Sequence, residues 1–124
     1  MFKVTNTAKA PAAIGPYSQA LEANGFLFAS GQIPLVPETG EVQEGAITEQ
    51  AERVMQNISA ILEENGLTFE NVIKTTCFLA DMSDFGAFNE VYAKYFTGKP
   101  ARSCVAVKAL PKAVLCEVEI IAVR

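Results

Sequence analysis

Two segments of this 124-residue chain carry apolar residues at helical spacing on one side only, while the runs around them look apolar on both sides. That combination leaves few ways to fold. From Ile47 to Asn65, the residues Ile47, Ala51, Val54, Met55, Ile58, Ile61 and Leu62 share one stripe, and Glu49, Glu52, Arg53, Gln56 and Glu63 lie off it. Gly66 is a natural stop. A second helix is expected from about Asp84 to Phe96, with Phe85, Phe88, Val91, Tyr92, Tyr95 and Phe96 on its stripe. Tyr17–Ala23 and Phe26–Ser30 read as strands joined by the hairpin turn Asn24-Gly25, both of whose positions tolerate positive φ. Gly31-Gln32-Ile33-Pro34 is expected to break the second strand. Val72–Leu79, Ala101–Val107 and Val114–Val123 supply three more strands, with a further short one near Met1 or Ile33.

The order β-β-α-β-α-β-β predicts an α+β fold. The unit from Val72 to Val107 should be a parallel pair with a right-handed crossover. Two one-sided helices cover one face of a single mixed sheet. The other face, with Phe26, Phe28 and the alternating sets of the later strands, is too apolar to stand wet, which predicts burial against other subunits. Length allows one core, so residues 1–124 are expected to form one domain.

Composition removes much chemistry. There is no histidine, so Ser-His-Asp and Cys-His catalysis, imidazole acid–base steps and ordinary His-containing zinc sites are out, and no metal site is expected. Cys77, Cys104 and Cys116 are odd in number, widely spaced and without a CxxC, a pattern of reduced thiols rather than a disulfide framework. A net charge of −4 with scattered lysines argues against nucleic acid as the main partner. No signal-peptide core and no run of membrane-spanning length is present, so a cytoplasmic protein with no membrane partner is expected. Gly15 and Gly31 stand alone and make no phosphate loop.

What remains is a small set of polar groups in apolar runs. Arg102, in Pro100-Ala101-Arg102-Ser103-Cys104-Val105, needs either a fixed protein partner such as Glu119 or an anionic ligand, because an unpaired buried ion is costly. Glu117 shares a strand face with Glu119 and is either an exposed strand carboxylate or a working one. Burial would raise its pKa and a nearby Arg102 would lower it. Cys104 has no histidine to activate it and lies inside a strand, so a thiolate nucleophile is not expected.

Ala12-Ala13-Ile14-Gly15-Pro16-Tyr17-Ser18-Gln19, Ser30-Gly31-Gln32-Ile33-Pro34, Phe88-Asn89-Glu90-Val91-Tyr92 and Pro100-Ala101-Arg102-Ser103-Cys104-Val105 together resemble the RidA (YjgF-like) family, as do Leu110-Pro111-Lys112 and Glu117-Val118-Glu119 near the end. The likeness spans essentially the whole chain. It departs in the loop Thr97-Gly98-Lys99, which is shorter than usual before Pro-Ala-Arg, and at Cys116, where the family more often has an aliphatic residue. The resemblance implies a chorismate-mutase-like fold, a cytosolic homotrimer with sites between subunits, and hydrolysis of 2-imino or enamine acids, released by pyridoxal-phosphate enzymes, to 2-keto acids and ammonia. It implies no metal and no organic cofactor. Arg102 would clamp the substrate carboxylate and Glu117 would handle the proton of the attacking water. Tyr17, Ser30, Gly31, Asn89 and the main chain at Cys104 would complete the substrate contacts. The alternative is a non-catalytic trimer that binds a 2-keto acid in the same pocket as a regulator.

Overall fold

A computed structural model of the chain describes residues 2–124. Six strands and two helices follow one another as β1 (Lys3–Thr5), β2 (Ala20–Ala23), β3 (Phe26–Gln32), α1 (Ile47–Glu64), β4 (Val72–Leu79), α2 (Phe85–Tyr95), β5 (Ala101–Ala106) and β6 (Cys116–Val123). They build one mixed sheet in the order β1-β2-β3-β6-β4-β5. The pair β4–β5 is parallel and the other pairings are antiparallel. The expected short N-terminal strand is therefore β1, with Met1 itself outside the described residues.

Local chemistry sets the boundaries. Asn24 and Gly25 both take positive φ, 52° and 80°, and close the β2–β3 hairpin. At the end of α1, Gly66 sits at φ 70°, its N–H bonds the Glu63 carbonyl, and the Leu67 N–H bonds the Leu62 carbonyl. That pair of reversed bonds satisfies carbonyls the helix would otherwise leave open. At the other end, the Glu49 carboxylate accepts from the Ala46 N–H at 2.8 Å.

Both helices pack on the sheet face formed by Leu27, Ala29, Cys77, Leu79, Cys116, Val118, Ile120 and Ala122, all buried. Val54, Met55, Ile58, Ile61 and Leu62 from α1 and Phe88, Val91 and Tyr92 from α2 fill the space above it. Fully burying such side chains contributes about 1.5–3 kcal/mol each. On the opposite face, register places Phe28 beside Ile121, Thr76 beside Glu119 and Phe78 beside Glu117. Phe26 and Phe28 stand 38% and 48% exposed there, and Val105 on the edge strand 47%. The face is apolar as expected but is crossed by a polar stripe of Lys74, Thr76, Glu117 and Glu119.

Strands β5 and β6 are slightly shorter than expected, ending at Ala106 and starting at Cys116, and two other boundaries differ for a physical reason. Tyr17–Gln19 does not join β2, because Gln19 turns inward and bonds the chain segment before it. The other concerns Ser30-Gly31, which bulges within a continuing β3 instead of ending it. Ala29 opposes Ile120 and Gln32 opposes Val118, so two residues face Glu119 alone.

Candidate functional site

The bulge and the start of β6 make the first half of the site. Glu117 projects from the face away from the helices, against the backbone of Gly31. A Cβ built on Gly31 would overlap the Glu117 carboxylate, lying 2.8 Å from its Cδ. The missing side chain thus makes room for the carboxylate, a more specific role than close approach of the backbone to a ligand. Half-burial is the main cause holding the Glu117 pKa above the ordinary carboxylate value, and the charge of Glu119 adds to it. Arg102 does not contribute, so of the two opposing effects considered from the sequence, burial wins.

Around Glu117 opens a cleft of about 850 Å³ whose walls include Tyr17, Ser30, Gly31, Ile33, Leu35 and Lys112. Tyr17 is 54% exposed at its rim. Ser30 lines the cleft, but its hydroxyl donates to the Ser18 carbonyl at 2.7 Å and can only accept from a ligand. Gln19 was not singled out by sequence reasoning, although it lies in the motif ending Tyr17-Ser18-Gln19. Its Oε1 accepts from the Thr7 N–H at 2.7 Å, and its Nε2 donates to the carbonyls of Thr7 and Pro11, each at 2.9 Å. The buried amide fixes Pro11 and Ala12 as a wall of the cleft. Lys112, within the quoted Leu110-Pro111-Lys112, reaches the same cleft from a backbone held at φ 56°.

The second half lies on β5 and α2. Arg102 is exposed on the sheet's edge strand, not buried in a strand interior. Its Nη1 donates to Asn89 Oδ1 at 2.7 Å, and its guanidinium stands 4.6 Å from the Tyr92 ring centre and 5.4 Å from that of Phe85. Tyr92 is itself fixed by a 2.8 Å hydroxyl contact with buried Thr75. Stacking and the amide orient the cation without neutralising it. The ion pairs among the described residues are Lys94–Glu52 and Arg124–Glu22, so the Arg102–Glu119 pair is not formed. Asn89 is the partner that aims Arg102. Cys104, two residues on, is half-buried beside Cys77, and burial raises its thiol pKa, which disfavours a thiolate there. Among the described residues no cluster of His, Cys, Asp or Glu could hold a metal.

Tyr17, Ser30, Gly31 and Glu117 therefore come together, as do Arg102, Asn89 and Cys104. The two groups do not meet within one chain. Arg102 shares the helix-covered face with Thr75 and Tyr92, whereas Glu117 shares the uncovered face with Phe78.

This single six-stranded mixed sheet with two helices is the fold of YjgF-like proteins. A family model described as "Endoribonuclease L-PSP" matches residues 7–124. The chain belongs to that family, which includes the RidA proteins. A mouse relative named 2-iminobutanoate/2-iminopropanoate deaminase is 48% identical over 123 residues, covering 98% of this chain and 91% of the other. A RutC family protein of Pyrococcus abyssi is 53% identical, covering 98% and 97%. Among solved structures, E. coli TdcF with bound serine superposes with a TM-score of 0.93 at 44% identity, covering 98% of each chain. Deamination of reactive intermediates is thus an activity named within the family.

Proposed function

We propose that this chain hydrolyses 2-imino acids to 2-keto acids and ammonia in sites shared between copies of itself. The observation that carries the reading is the Arg102 guanidinium: held by Asn89 and two aromatic rings, and without a carboxylate partner. Such a planar cation suits a substrate carboxylate, which it can bind through two parallel hydrogen bonds. Water attacks the C=N carbon while Glu117 takes a proton from it. Glu117 passes that proton on to the nitrogen as the C=N electron pair moves onto it, and so returns to its ionised form. The resulting carbinolamine collapses to C=O and releases ammonia, so imine and water balance ketone and ammonia. A base whose pKa is raised toward the working pH suits this step. TdcF with bound serine supports an amino-acid-like ligand for this fold.

The faces of the sheet support the assembly. One ligand cannot touch both Arg102 and Glu117 of one chain, and the exposed Phe26, Phe28 and Val105 offer a surface for further copies. A cleft of about 850 Å³ has room for a small imino acid together with side chains of a neighbour. A closed ring of three would bring each Arg102 to the next subunit's cleft. Ribonuclease action, the sense of the family model's description, has no histidine and a net charge of −4 to work with.

The test is a coupled assay in which a dehydratase releases the imino acid and keto acid is followed. Arg102→Ala should lower the accelerated release about 100-fold or more, as loss of a bidentate charged pair does. Full activity in that variant would overturn the clamp. Glu117→Ala should lose turnover yet still bind 2-ketobutanoate; if turnover is absent in the parent protein and binding persists, the site is a sensor and not an enzyme.

A further inference from the structure

Asn57 sits in the middle of α1 and is 0% exposed. Its Nδ2 donates to the carbonyls of Ile33 at 3.2 Å and Leu35 at 3.0 Å, while its Oδ1 has no partner among the described residues. An orphaned buried acceptor destabilises a fold, and asparagine is a poor interior helix residue. A leucine would continue the stripe of Val54, Ile58 and Ile61 without either penalty. The amide is therefore explained by what its nitrogen holds.

The two carbonyls flank Pro34, which has no N–H, and the Leu35 N–H closes a tight turn onto Ile33 O at 2.8 Å. Beyond it the chain doubles back as a small flap. Leu35 bridges Val42, Val36 N–H bonds Glu41 O at 2.8 Å, and Gln43 N–H bonds Pro34 O at 2.7 Å. Arg53, one turn earlier on α1, adds a 3.1 Å bond to Gln43 Oε1. Ile33, Leu35 and Pro37 from this flap form an apolar wall of the Glu117 cleft. We propose that Asn57 is a positioning residue whose carboxamide fixes the Ile33–Gln43 flap and so sets the space open to the substrate's side chain. The part concerning substrate rests on the imino-acid reading; the anchoring does not.

Two readouts on the full chain separate these. Amide hydrogen exchange in the parent protein should show Val36, Gly40 and Gln43 protected to within about tenfold of the middle turns of α1. In Asn57→Leu the same amides should exchange about tenfold faster or more, with β4 unchanged. Turnover is then measured on 2-iminopropanoate and on the larger imino acid derived from leucine, each made in place by an amino-acid oxidase. KM for the larger substrate should rise about fivefold or more, with kcat within about twofold, and the smaller substrate should be affected less. Asn57→Ala is the second variant if the leucine form does not fold. Flap amides in the parent protein that exchange like an open loop would overturn the anchor, as would variants with unchanged flap exchange. An equal fall in kcat for both substrates would overturn the positioning role. Absence of any turnover in the parent protein would sink the deaminase reading and leave exchange to decide the anchor.

Discussion

Arg102 and Glu117 show how far a side chain's meaning depends on its surroundings. From the sequence, Arg102 was a charge in an apolar run with two solutions, a protein partner or a ligand. The structure removes the first by placing no carboxylate against it, and adds an orientation through Asn89 and Tyr92 that no local pattern encodes. The sharing of a face by Glu117 and Glu119 was legible from strand alternation. The importance of Gly31 to Glu117 was not, because it depends on register between β3 and β6. Burial raises the Glu117 pKa first and Glu119 second. A working base must be ionised, so kcat/KM should fall as pH drops through an acid limb lying above the ordinary carboxylate value of 4.5. Glu119→Gln removes a repelling charge and should move that limb to lower pH. A limb that stays put or moves up in the pH–rate profile would show that Glu119 does not act on Glu117.

At the scale of elements, both helices and most strands follow from periodicity and turn chemistry. The miss at the end of the β2–β3 hairpin is a matter of pairing. Ser30-Gly31 looks like a strand end because a bulge and a terminator use the same residues, and only the partner strand distinguishes them. Likewise, nothing local in β6 says that it inserts between β3 and β4, since long-range pairing decides sheet order. The bulge gives a direct prediction. Gly31→Ala should keep the fold, as circular dichroism would show, while turnover falls about tenfold or more because the carboxylate must move aside. Unchanged kcat/KM would mean that the Glu117 position seen here is not the working one.

For the whole molecule, the uncovered apolar face was foreseen from the pattern, but the placement of Arg102 and Glu117 on opposite faces was not. The facing of β5 is set by its pairing with β4 and its cover by α2, neither of which its own six residues reveal. The proposed sharing of the site between copies has a clear consequence in mixtures. Arg102→Ala and Glu117→Ala proteins, each inactive, should regain activity when unfolded and refolded together. Random assembly in a ring leaves about a quarter of sites with both groups intact. No recovery, with mixed assemblies present by native mass spectrometry, would overturn a site shared between copies.

The three thiols also differ in depth. Cys77 and Cys116 lie in the core with pKa values pushed up to about 12, whereas Cys104 sits half-buried on the edge strand. The chain thus carries its own graded clock: an alkylating reagent meets Cys104 when the sheet's edge frays, and reaches the inner two only through deeper opening. Each label marks a different layer of the fold letting go.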